Sequence, residues 1–252
     1  MEIVCYGVFT AVWWITSITL WPAVLLVKYF KFFRDKWFSW FVKILHPYLS
    51  PKLQMMRKKA FMSFDKHWPR RNMPQQHLEV LEIGIGGGEG NLKFYPENTN
   101  LTALDMDDDF KKPFTGHVKK NSQINSARAV VGSAEDMHMI EDSSMDFVVS
   151  SYVLCSVQDV HLVLKEVKRV LKPGGKFLFL EHVAYSKNHW SHLIVQKCAA
   201  PLWKVFFYGC VLDRDIGKTI SQAVFSTVEM ESDFPSSMWL FIRPQIFGVA
   251  TK

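Results

Sequence analysis

The chain opens on an uninterrupted apolar run, and only later settles into short branched-apolar stretches alternating with amphipathic ones. From Ile3 to Val27 it reads IVCYGVFTAVWWITSITLWPAVLLV, 25 residues without a charge. As one helix this run would extend about 37 Å at ~1.5 Å per residue, enough to cross a hydrocarbon core of about 30 Å. Glu2 is the only charged side chain before it, and no A-x-A step follows, so the pattern predicts a retained anchor and not a cleaved signal peptide. The pattern leaves open whether the run spans the bilayer or dips in and returns at Pro22.

In the next stretch Lys28, Lys31, Arg34, Lys36 and Lys43 alternate with Tyr, Phe and Trp, a composition suited to a lipid headgroup layer with the following chain on the cytosolic side. Residues 1–45 are therefore expected to form an anchor and interfacial segment whose partner is membrane lipid. Residues 46–76 should form a short helix and a polar, proline-containing linker. A folded domain should occupy residues 77–252.

Within that domain the period shifts to strands. HLEVLEI (77–83) is a buried strand, NLTALDMD a second ending at Asp105, and ARAVVGSAEDM a third. SMDFVVSS runs through Ser150 and Ser151 as a fourth. VHLVLKEVKRVLK has a helical period, KPGG (172–175) stops it, and KFLFLEHV is a fifth strand. The alternation implies an α/β fold with a Rossmann-like, doubly wound, mostly parallel sheet and a ligand along the carboxyl ends of its strands. An insertion at about 185–215 carries apolar and aromatic side chains at helical spacing. Both a lid over substrate and a cover for the sheet edge fit that spacing.

Composition narrows the class. The 252 residues suffice for one sizeable core, and a net charge of +6 is moderate. Nucleic acid is not expected, because no RNP-like strand accompanies the basic and aromatic residues. Four cysteines without a C-x-x-C pair favour a reducing compartment. No metal is expected: no His/Cys/Asp/Glu set has ligand spacing, and the Asp105–Asp109 run has Phe110 and Gly116 where a calcium loop needs Gly and an acid.

The candidate chemistry lies after the first strand, in EIGIGGGEGNLKFYP. Gly84 and Gly86 permit a sharp turn and close approach of a ligand, Gly88 permits tight helix packing, and a helix over GEGNLKFYP would offer its N-terminal amides. Asp105, at the tip of the second strand, is placed to accept from ribose hydroxyls. A dinucleotide G-x-G-x-x-G frame would put Glu89 in the last glycine position, a misfit.

The E-x-G-x-G-x-G loop, Asp105, the Ser-Ala step and L-K-P-G-G in register resemble the class I S-adenosylmethionine-dependent methyltransferases. That resemblance implies S-adenosylmethionine as cofactor, with Gly84, Gly86 and Gly88 around its methionine part and Glu82 steadying the loop. It places Asp105 on the ribose, Met106 against the adenine, Ser133 and Ala134 at the adenine edge, and Ser151 at the methionine end. FYP after the loop, VLCSV (153–157), EHVA (181–184), Trp203, GC (209–210) and RPQIFGVATK look like the membrane-anchored methyltransferase-like 7 family, microsomal alkyl-thiol methyltransferases.

The family resemblance implies methyl transfer to small or aliphatic thiols, hydrogen sulfide included, on the cytosolic face of the endoplasmic reticulum or on lipid droplets. The chain departs from that family at Ile85, where a Cys is usual, and at Gln245, where a His is usual. No catalytic residue is assigned. His182 fits either a proton acceptor in the cleft or a histidine bonded at a strand end, and Cys155 either a pocket wall or core. A lipid or quinone-like acceptor, and a non-catalytic membrane-tethered scaffold, are the alternatives.

Overall fold

The computed structural model describes residues 2–67, 77–86 and 90–252. The apolar leader forms two helices, α1 (Glu2–Thr19) and α2 (Trp21–Tyr29), in place of one. The break falls at Leu20 (φ −96°, ψ 24°), because Pro22 has no N–H to donate and its ring crowds the preceding turn. Proline is tolerated in the first turn of α2, where no intrahelical partner is due. A single long helix, α3 (Lys31–His67), then replaces the expected interfacial segment plus short helix.

The other elements, in chain order, are β1 (Leu78–Ile83), β2 (Thr99–Asp105), α4 (Lys111–Val118), β3 (Ile124–Val131), β4 (Met145–Ser151), α5 (Val160–Val170), β5 (Leu171–His182), α6 (Trp190–Phe206), α7 (Ile216–Gln222), β6 (Thr227–Asp233) and β7 (Gln245–Thr251). The sheet order is β3-β2-β1-β4-β5-β7-β6. The first five strands pair in parallel. Lys252 N–H donates to Gly175 O and Val183 N–H to Pro244 O, so β7 runs antiparallel to β5. The order reverses between β1 and β4, the switch point at which open α/β sheets bind ligands.

Both faces of the sheet are covered, as a parallel sheet requires. Val80, Phe147, Val149, Leu178 and Leu180 share a core with Met56, Phe61 and Phe64 of α3, and the Phe64 and Phe147 rings lie 4.5 Å apart. The core thus recruits helix residues well before His77, since strand residues on that face need an apolar partner. The intervening Leu81, Ile83, Val148, Phe177 and Phe179 are equally buried. On α5 the buried positions Val160, Val163, Leu164, Val167 and Val170 form one stripe.

Helix α5 stops at Val170, before KPGG. Leu171 already pairs with Met145, and the register then slips before Phe147 meets Lys176, so the Pro-Gly-Gly step sits inside β5 as an irregularity.

The chain divides into two compact units. The helical unit takes Met1–Leu53, His182–Ile216 and Ser232–Gln245; the sheet unit takes Gln54–Glu181, Gly217–Glu231 and Ile246–Lys252.

Candidate functional site

At the end of β1 the backbone turns on two left-handed glycines, Gly84 (φ +62°) and Gly86 (φ +55°). Gly84 N–H donates to Leu104 O at 2.7 Å, tying the turn to β2. A Cβ on Gly84 would stand 2.5 Å from Val153 Cγ2, so glycine is required there by both conformation and space. A Cβ on Gly86 would meet nothing within 4 Å, so the backbone there borders open space. Gly88 lies outside the described residues. Of the helix expected over GEGNLKFYP, the described residues form one 3₁₀ turn, Leu92–Phe94.

Two carboxylates flank the loop and differ in kind. Asp105, half-exposed at the tip of β2, accepts Gly86 N–H at 2.8 Å through Oδ2 and Asp107 N–H at 3.1 Å through Oδ1. Each oxygen retains a second lone pair for an incoming hydroxyl. Glu82, on β1, is fully buried. It accepts from Asn91 Nδ2 at 2.6 Å and from the Tyr95 hydroxyl at 2.7 Å. Burial pushes the Glu82 carboxyl up to about 7, against the opposing pull of those two bonds and of the Arg57 charge. Tyr95 is raised well above the usual phenol range, first by burial and then by Glu82.

The remaining expected residues gather along the same strand ends. Met106 projects with 74% of its surface exposed. Ser133 Oγ accepts Glu135 N–H at 3.1 Å, closing a tight turn, and Ala134 is buried beside it. Glu135 in turn accepts the N–H groups of Gln158 and Asp159 at the start of α5. Ser151 Oγ accepts from Asn91 Nδ2 at 3.1 Å, which joins the ends of β4 and β1.

Sequence reading missed several members of this network. Asn91, Tyr95 and Arg57 reach Glu82 from the post-loop turn and from α3. Tyr95 was visible only as part of the FYP motif, with no chemistry attached. Glu181 is the other omission: buried at the end of β5, it accepts from Ser150 Oγ at 2.6 Å and from Val153 and Leu154 N–H at 3.1 and 3.2 Å. That carboxylate shapes the segment that presses Val153 onto Gly84.

The helical unit holds the other candidates. His182 Nε2 lies 3.0 Å from Cys210 Sγ, and Trp203 Nε1 donates to the same sulfur at 3.3 Å; all three side chains are buried. Gln245, at a position where the resembled family usually has His, is buried and donates Nε2–H to Ile242 O at 3.0 Å, closing the turn that precedes β7. Cys155, in the sheet unit, is buried and donates to Tyr152 O at 3.6 Å.

A small apolar recess within the helical unit, partly open to solvent, is lined by Phe9, Thr10, Trp13, Ala199, Trp203 and Phe241. Helix α1 is held there by Trp14 Nε1–H donating to Cys198 O at 2.8 Å, and by Tyr6 edge-on to Phe241 at 5.6 Å. Glu2 pairs with Arg243.

The family profile for a methyltransferase domain matches residues 81–179, the span from β1 to β5. Among solved structures, a SAM-dependent methyltransferase from Thermotoga maritima superposes with a TM-score of 0.57 at 16% identity, covering 86% of this chain and 99% of that one, which establishes the fold. Human thiol S-methyltransferase TMT1A is 34% identical over 217 residues, 86% of each chain. Human thiol S-methyltransferase TMT1B is 36% identical over 216 residues, again 86% of each. The alignments run far beyond the methyltransferase domain, and with that coverage the chain belongs to the thiol S-methyltransferase family.

Proposed function

We propose that this protein methylates the sulfur of small, apolar thiols at a membrane surface. The methyl donor is S-adenosylmethionine. The observation that carries the thiol reading is the match to thiol S-methyltransferases across 86% of the chain, at identities that span both the sheet and segments outside it.

The residues at the strand ends suit that donor. Open space borders Gly86, Asp105 has lone pairs for ribose hydroxyls, exposed Met106 offers a flat apolar contact, and Ser133–Ala134 forms a tight wall. Glu82, Asn91 and Ser151 back the loop from below. When bound, the donor supplies an electrophilic methyl group on a sulfonium centre.

The acceptor needs little activation. A free thiol has a pKa of about 8.5, so a few per cent is thiolate at neutral pH. Alignment and exclusion of water then matter more than a strong base. A phenol or hydroquinone would need a base to remove a proton less acidic than a thiol's. His182, engaged with Cys210, is the buried histidine available for such a role.

Membrane attachment is part of the proposal. Val4, Val8, Val12 and Ile15 form an exposed stripe on α1, and Phe30, Phe32, Phe33 and Trp40 are exposed after it among basic residues. At ~1.5 Å per residue the 18-residue α1 measures about 27 Å. Its N-terminal Glu2 is paired with Arg243 of the same unit, which a helix crossing to the far leaflet would prevent. That arrangement supports a helix lying in the interface; the cytosolic face of the endoplasmic reticulum or a droplet monolayer is the site the family resemblance implies. Val8→Asp with Ile15→Asp should then release the protein from liposomes in a flotation assay; unchanged flotation would remove this support.

Product analysis with labelled donor and a panel of alkyl thiol, hydrogen sulfide, phenol and quinone tests the reaction. A labelled thioether is expected, and a product methylated only at oxygen or carbon would replace the thiol reading.

A further inference from the structure

Two buried polar atoms beside the glycine loop lack hydrogen-bond partners among the described residues: Asn91 Oδ1, an acceptor, and Arg57 Nε, a donor. Both side chains meet around Glu82. Asn91 spends its amide N–H groups on Glu82 Oε1 and Ser151 Oγ. This fixes the amide orientation, because a flipped amide would set its oxygen against the carboxylate. The Asn91 oxygen is therefore left facing away from both bonds. Arg57 arrives from α3. Its guanidinium fills the space a side chain at position 90 would take, with Cζ, Nη1 and Nη2 only 2.5, 2.6 and 2.8 Å from where a Cβ on Gly90 would stand. Its charge also reaches Glu82.

A buried acceptor and a buried guanidinium donor, neither with a partner among the described residues and both at the Gly90–Asn91 step, are complementary to an α-amino-acid zwitterion: an ammonium for the amide oxygen, a carboxylate for the guanidinium. We infer that Arg57 and Asn91 read the amino-acid end of the donor, Arg57 binding its carboxylate and Asn91 Oδ1 its ammonium. This rests on the donor reading above and adds to it a residue of α3, a helix outside the matched domain. It also gives Gly90 a purpose distinct from the turn glycines: no left-handed φ is required there, only the absence of a side chain where Arg57 lies.

The test is calorimetric titration of the full-length protein in detergent with three probes. S-adenosylhomocysteine carries both charged groups, decarboxylated S-adenosylmethionine keeps only the ammonium, and 5′-methylthioadenosine has neither. Arg57→Ala should weaken S-adenosylhomocysteine by about 10- to 100-fold, leaving the other two within about twofold. Gly90→Ala, which pushes the guanidinium aside without removing it, should reproduce the selectivity in smaller measure, and Arg57→Lys should recover part of the loss. Affinity for 5′-methylthioadenosine serves as the folding control.

Equal weakening of all three probes, or no weakening of any, would overturn the inference and leave the donor reading standing. A wild-type protein that binds none of the three would overturn the donor reading itself, and the inference with it.

Discussion

The sheet unit and the helical unit are specified by different physics. At the strand ends, individual polar atoms hold the backbone through directed bonds: Asp105 on Gly86 and Asp107, Asn91 on Glu82 and Ser151, Glu181 on Ser150, Val153 and Leu154. In the helical unit apolar contacts predominate, with Trp13 of α1 edge-on to Phe206 of α6, and polar bonds gather at His182, Cys210 and Trp203, at Gln196 and at the Glu2–Arg243 pair. Directional bonds fail when one atom changes, whereas apolar packing tolerates exchanges of similar volume. Identity should therefore matter residue by residue in the first region and only in aggregate in the second.

The largest effect should come from Asp105→Ala, which removes the lone pairs offered to the ribose and two anchors of the loop. Affinity for S-adenosylhomocysteine should fall by at least about 100-fold, with methyl transfer lost accordingly. A loss under about tenfold would place the donor elsewhere.

Glu82 gives the sheet unit a pH signature near neutrality. Its folded pKa of about 7 lies above the ordinary 4.5, so the native state binds the proton more tightly. Stability from this group is full below pH 4.5 and is lost as pH rises through 7, by about 3 kcal/mol at most. Urea melts of Glu82→Gln at pH 5 and pH 8 should show that slope flattened. An unchanged slope would mean the carboxyl is ionised in the folded protein.

Gly84 and Gly86 sharpen the contrast within the loop. Both are left-handed, so alanine at either costs about 1–2 kcal/mol in backbone strain, but only Gly84→Ala also collides with Val153. Thermal melts should rank Gly84→Ala below Gly86→Ala, and equal midpoints would remove the role given to Val153.

The smallest effect on donor binding should come from Cys210→Ala. It deprives Trp203 N–H of its acceptor, at about 1 kcal/mol of stability, and leaves S-adenosylhomocysteine affinity within about twofold. A tenfold drop would join the two regions functionally.

What the sequence disclosed follows the same division. Strands β1, β2 and β4 and the acid at Asp105 were readable because buried parallel strands are short apolar runs and the loop glycines mark their end. The apolar leader was readable as helical, but its hydropathy is continuous through Pro22 while the backbone breaks at Leu20. Among the described residues the helix expected after the loop is one turn, Leu92–Phe94, which ends where Tyr95 bonds Glu82 and Pro96 follows. Arg57 escaped because its partners lie 25 to 33 positions further on, and no local period encodes such a meeting. Helix α3 was divided in the reading for a related reason, since its character changes from aromatic to polar while its backbone continues.

Hydrogen exchange of the full-length protein with and without S-adenosylhomocysteine tests the central claim most directly. The account predicts protection in peptides covering residues 84–92, 105–110 and 132–137, with α1 and α6 unchanged. Protection confined to α1 and α6, with the strand ends exchanging as before, would contradict it.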